Sequence, residues 1–169
     1  HQEVEGRLNN IVQNVVHGLI ALDNNNVVQI FNKNAEFIFG ISAPSVVGKS
    51  YRDSFSEKLV RSFDILVEST LIEGSILDYE VKVEISPSLE IPVGISSSIL
   101  YNPQGLHQGI IFVCRDMSLT KEVNRLKELD KMKSEFVSMV SHELKNPIAI
   151  IKSSVETLQA ARRIGKSLG

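Results

Sequence analysis

The clearest chemistry in the chain sits in seven consecutive residues, Ser141-His142-Glu143-Leu144-Lys145-Asn146-Pro147. A neutral imidazole is a nucleophile and a proton carrier, and a neighbouring acid can fix its tautomer and raise its basicity. On a helix advancing about 100° per residue, Val137, Val140, Leu144 and Ile151 share one arc. His142 falls nearly opposite that arc, Asn146 lies one turn on along the same outer face, and Glu143 stands at the flank. An unhindered imidazole beside a carboxylate and a carboxamide is thereby offered to a partner. Pro147 lies inside an otherwise continuous helical pattern, at a typical cost of about 3 kcal/mol, because it lacks an N–H and crowds the carbonyl of Glu143. A bend beside His142 is expected. A lone outward histidine is most simply inert; a costly proline five residues later, with an acid and an amide at fixed offsets, favours a working site.

The elements that position this stretch follow from periodicity. Over residues 119–163 there is no glycine and one proline. Apolar residues recur at Leu119, Val123, Leu126, Leu129, Met132, Phe136 and Met139, and a second run continues through Leu144, Ile148, Ile151, Val155 and Leu158. The spacing predicts one long helix that pairs in parallel as a coiled coil. Three successive steps of three between Val123 and Met132 form a phase slip that overwinds the coil locally.

Upstream the pattern changes. Val4, Leu8, Ile11, Val12, Val15 and Val16 predict an amphipathic helix over 4–16. Short strands are expected at 19–22 and 27–31, joined by the turn-forming Asp23-Asn24-Asn25-Asn26. Asn32 can cap a helix over Lys33–Phe39 that Gly40 stops. Residues 42–50 read as loop with one helical turn, and Tyr51, Arg52 and Asp53 as surface loop. Glu57–Glu73 is an amphipathic helix ended by Gly74. Strands at 76–85, Leu89–Tyr101 and 106–117 complete an α+β domain around a five-stranded antiparallel sheet.

The composition narrows the function classes. With 169 residues there is room for one domain and an extra element. The net charge of −2 gives no general attraction to nucleic acid or anionic lipid. Residues 117–169 hold 10 basic and 6 acidic side chains, but their signs alternate, as on a solvated helix face. Neither a nucleic-acid partner nor membrane contact is expected within this segment. One cysteine, Cys114, excludes a disulfide framework within the chain and a cysteine-rich zinc site. No set of His, Cys, Asp and Glu has metal-ligand spacing. The chain begins with His1 and shows no signal-peptide pattern, so it is expected to be part of a longer protein.

Phe136-Val137-Ser138-Met139-Val140 followed by Ser141 to Pro147 closely resembles the H-box of sensor histidine kinases. The resemblance implies that His142 is the residue phosphorylated from ATP. It makes Glu143 the acid that orients the ring, and Asn146 the amide that places water when the partner is dephosphorylated. Gly18-Leu19-Ile20-Ala21-Leu22-Asp23, the stretch from Phe31 to Gly40, Val47-Gly48-Lys49 and the closing Phe112 to Ser118 resemble the PAS pattern in order and spacing. Asp116 and Ser118, which can also cap the exit helix, then become a signalling joint, with Pro147 a second joint.

Haem-type PAS domains use a histidine on the long helix, and Glu57–Glu73 has none. Photoactive flavin members place a cysteine after the short helices, whereas Cys114 lies on the last strand. No cofactor is therefore expected in this segment, and ATP and Mg2+ are implied only for the longer protein. No phosphate-cradling glycine motif occurs here, so the segment alone is expected to be inactive.

The expected organisation is an N-terminal amphipathic helix at 1–17, a PAS sensor domain at 18–117, a coiled-coil linker at 118–133 and the first, truncated helix of the dimerisation and phosphoacceptor domain at 134–169. Expected partners are a second copy through the parallel coiled coil, a response-regulator receiver domain and the kinase ATP-binding domain, at a cytoplasmic location. The rival reading is a non-enzymatic PAS ligand-binding or dimerisation module whose helix docks another protein.

Overall fold

Capping residues and glycines set most element boundaries. In the computed structural model, which describes residues 2–14 and 16–168, the order is α1 (Gln2–Asn14), β1 (Gly18–Asp23), β2 (Val28–Phe31), α2 (Lys33–Phe39), α3 (Ala43–Val46), α4 (Tyr51–Ser54), α5 (Glu57–Glu73), β3 (Ser75–Ser86), β4 (Leu89–Tyr101), β5 (His107–Asp116) and α6 (Ser118–Leu168). Asn32 caps α2 by accepting the Ala35 N–H, and Gly40 ends that helix at φ 66°, a left-handed conformation that costs glycine little. Ser56 caps α5 by accepting from the Leu59 N–H.

The strands form one antiparallel sheet in the order β2-β1-β5-β4-β3. Ile20 and Leu22 of β1, Val93 and Ile95 of β4, and Ile110, Phe112 and Cys114 of β5 are buried with α2 and α5 in one core. Phe31, Phe39, Tyr51, Phe55, Phe63 and Phe112 fill its centre, and the Phe63 and Phe112 rings, 5.0 Å apart, tie α5 to β5. Thr70 of α5 and Ser97 of β4, both buried, pair hydroxyls at 2.6 Å, so neither is left unsatisfied.

Some expectations need correction. Helix α1 ends at Asn14, so Val16 and His17 are not helical; Val15 lies outside the described residues. Tyr51, Arg52 and Asp53 are not surface loop. They form α4, and Tyr51 is fully buried, its hydroxyl donating to Asp64 of α5. His107 is only partly exposed, and its Nδ1 lies 2.5 Å from Asn24 Oδ1. Asn24 Nδ2 also donates to the His107 carbonyl at 2.9 Å, closing the β1–β2 turn onto β5. Strand β3 shifts register between Ile76 and Tyr79, where Asp78 takes φ 50°.

The chain divides into two compact units, His1–Thr120 and Lys121–Gly169. In the second, α6 continues through Pro147 without a break, and its apolar stripe is solvent-facing: Leu129 is 47% and Leu144 55% exposed. Among the described residues no helix is long and apolar enough to cross a membrane.

Candidate functional site

Helix α6 carries His142, Glu143, Asn146 and Pro147 on consecutive turns, and all four are exposed. Ser134, Ser138 and His142 follow one another at four-residue spacing, and Glu135, Met139 and Glu143 form the adjacent row. The two rows outline a shallow depression with the imidazole at one end. Short serine side chains on the turns before His142 leave its ring open to an incoming group. Val137 and Leu144, across the helix, form part of the exposed apolar stripe. The imidazole is thus presented away from Val137 and Leu144, and Met139 is the apolar residue that borders it.

Pro147 shapes the site from its other end. It has no N–H, so the Glu143 carbonyl lacks the helical donor it would otherwise have. Among the described residues no group of three His, Cys, Asp or Glu side chains could hold a metal ion. The site's chemistry is that of an imidazole with an adjacent carboxylate and a carboxamide one turn on.

Asp116 and Ser118 lie far from these residues in sequence and meet each other at the start of α6. Asp116 Oδ1 accepts the Ser118 N–H at 2.8 Å, which satisfies one of the donors a helix start leaves open. The residue between them does more than sequence reasoning assigned to it. The Met117 N–H donates to the Pro92 carbonyl of β4 at 2.8 Å, and its sulfur packs over Gly94, only 2.8 Å from where a β-carbon there would sit. Arg115 reaches Asp78 of β3 at 3.8 Å. The exit from the sheet is thus clamped to β4 by backbone and side chain together. A glycine inside a strand often marks such a close approach, and Gly94 was the available signal. On the first turns of α6, Arg125 hydrogen-bonds Glu122 at 2.7 Å and holds its carboxyl below the usual range.

The interior of the sheet domain gives its one cysteine a packing role. Cys114 is fully buried, and burial pushes its thiol well above the ordinary range, which keeps it a small inert hydrophobe.

Comparisons with known proteins cover both units. A family model for the PAS fold matches residues 6–117, and one for the His Kinase A (phospho-acceptor) domain matches residues 132–167. The chain is 28% identical over 155 residues to the signal transduction histidine-protein kinase AtoS of Escherichia coli, covering 88% of this chain and 24% of that protein. It is 26% identical over 153 residues to the sensor protein kinase WalK of Staphylococcus haemolyticus, covering 90% of this chain and 23% of the relative. The chain thus spans about a quarter of the length of these curated relatives. Among solved structures, the PAS domain of a protein from Colwellia psychrerythraea superposes with a TM-score of 0.55 at 14% identity, over 67% of this chain and 96% of that one. A phage VqmA–DPO complex gives 0.59 at 16% identity, over 76% of this chain and 60% of that one. These structural likenesses speak to the fold. The chain belongs to the PAS family, and its PAS domain is followed by a segment that matches the His Kinase A phospho-acceptor domain, in a chain similar along most of its length to sensor histidine kinases.

Proposed function

We propose that His142 accepts the γ-phosphoryl group of ATP in the longer protein and passes it to an aspartate of a response-regulator receiver domain. The observation that carries this reading is the exposed His142-Glu143 pair, one turn before Asn146 and Pro147, inside the matched phospho-acceptor domain. Nε2 attacks the γ-phosphorus; an N–P bond forms, the bond to the bridging oxygen breaks, and ADP leaves. Nδ1 keeps its proton through this step. Glu143 accepts a hydrogen bond from that N–H and offsets the positive charge the ring acquires. Transfer to the receiver aspartate breaks the N–P bond and restores the neutral ring. Asn146 positions water for hydrolysis of the aspartyl phosphate. The kinase ATP-binding domain brings ATP and Mg2+ as its substrate.

In this reading residues 1–17 are the entry segment, whose helix ends at Asn14, 18–117 the PAS sensor, 118–133 the coiled-coil linker and 134–169 the phosphoacceptor segment. Two copies pair α6 in parallel, because a second identical stripe is the most economical cover for an exposed stripe. A change in the PAS domain moves the clamp at Met117 and the joint at Asp116 and Ser118. Linker packing shifts at the phase slip between Val123 and Met132, and with it the presentation of His142.

The test is radiolabelling of the longer protein from ATP. Wild type should carry an acid-labile, base-stable phosphate that His142→Gln abolishes, while Glu143→Ala slows labelling. Retention of the label in His142→Gln would refute the assignment.

A further inference from the structure

The two edges of the sheet are treated differently. At one end, β2 is covered by its own chain: the Val28 N–H donates to the Lys49 carbonyl at 2.9 Å, and its carbonyl accepts the Gly48 N–H at 2.8 Å. At the other end, β3 has β4 on one side and, among the described residues, no strand on the other. Which of its backbone groups face outward follows from Pro92. The Pro92 carbonyl is turned toward β5, where it accepts the Met117 N–H. In an antiparallel ladder the residue opposite Pro92 on β3, which is Lys82, therefore makes no backbone hydrogen bonds with β4. Its N–H and C=O point out of the edge, and so do those of Glu84, two residues on. Beside Lys82 and Glu84 lies an open cleft of about 760 Å3, walled on the far side by Leu59 and Arg61 of α5.

We infer that this edge is a pairing surface for β3 of a second copy of the chain, with Lys82 opposite Glu84 of the partner subunit and Glu84 opposite Lys82 of the partner subunit. Charge selects both the occupant and the register. Pairing Lys82 with Lys82 of the partner subunit would oppose like charges directly, which destabilises a sheet. A slip the other way opposes Glu84 to Glu84 of the partner subunit, and a longer slip that pairs Lys82 with Glu80 of the partner subunit also sets Glu84 against Asp78 of the partner subunit, like charges at the point where the strand bulges at φ 50°. The remaining register makes two opposite-charge pairs, and each pair exchanges both of its N–H···O bonds. It also brings Val83 of each copy together. An edge strand with exposed backbone groups is a template for this kind of association, and alternating charge limits it to a partner that alternates in the complementary sense. The interface is distinct from any pairing of α6 and does not depend on the role of His142.

The test is amide hydrogen exchange at Lys82 and Glu84 in the full 169-residue chain across a dilution series. Exchange should slow as concentration rises. Lys82→Glu should weaken association roughly tenfold by turning both charge pairs repulsive. The double variant Lys82→Glu with Glu84→Lys should restore it, since the pairs become opposite again. Leu126→Glu with Leu129→Glu, which leaves β3 untouched, should retain it. Exchange independent of concentration, a double variant no better than the single one, or loss of protection in the α6 variant would each overturn the inference.

Discussion

Replacing Asn32 with alanine should destabilise the PAS unit by about 3 kcal/mol, a large share of a small domain's total stability. Asn32 has no exposed surface. Its Oδ1 accepts the Leu19 N–H at 2.8 Å and the Ala35 N–H at 2.9 Å, and its Nδ2 donates to the His17 carbonyl at 3.0 Å. One side chain thus caps α2, anchors the start of β1 and satisfies the segment entering it. Losing a helix cap costs about 1 kcal/mol, and each buried donor left unsatisfied roughly 1–3 kcal/mol. Asn32→Ser should recover about 1 kcal/mol, because a serine hydroxyl can cap Ala35 but cannot also reach Leu19. The assay is urea unfolding followed by tyrosine fluorescence. The chain has no tryptophan, and Tyr51, Tyr79 and Tyr101 all lie in the unit His1–Thr120, so the signal reports that unit alone. With a urea slope of about 2 kcal/mol per molar, the alanine midpoint should fall by about 1.5 M. A shift below about 0.5 M would show that water replaces these bonds cheaply, contradicting the clasp.

Three other outcomes are expected. Burial, then the hydrogen bond to Asp64, pushes the Tyr51 hydroxyl up to about 12. Its folded value lies above its unfolded value of about 10, so its contribution is complete below pH 10 and is lost as pH rises toward 12; the stability advantage of wild type over Tyr51→Phe should shrink across that window and be flat below it. Gly94→Ala should force Met117 aside and change basal labelling of the longer protein by roughly two- to tenfold while the urea midpoint barely moves, and Met117→Ala in the same chain should cancel the change. Wild type should sediment near twice 18.8 kDa, and adding Leu126→Glu with Leu129→Glu to a chain that already carries Lys82→Glu, which weakens β3 pairing, should lower that mass; a wild-type monomer would remove the coiled coil from the account.

Sequence legibility tracked how local each cause was. Lys33–Phe39, Glu57–Glu73 and Leu89–Tyr101 were read to the residue, because caps, glycines and turn residues adjoin them. The burial of Tyr51 was missed because its partner, Asp64, is thirteen residues away on another helix. The hold on His107 is hidden from the sequence for the same reason: Asn24, which makes it, precedes His107 by 83 residues. The bulge at Asp78 interrupts an alternation that runs cleanly only from Tyr79 onward. The placement of His142, Glu143, Asn146 and Pro147 was legible because it lies within two turns of one helix. Its joint to the sheet was half legible: Asp116 and Ser118 are neighbours, whereas the hold of Met117 on Pro92 and Gly94 exists only once β4 and β5 have paired.

The most direct test of the central claim is to locate the phosphoryl group itself. The longer protein, phosphorylated from ATP and digested at alkaline pH to preserve N–P bonds, would be fragmented by electron-transfer mass spectrometry. The account predicts the phosphate on the imidazole of His142 and on no serine of Ser134, Ser138 or Ser141. Phosphate on any of those hydroxyls, or on another histidine with His142 unmodified, would contradict it.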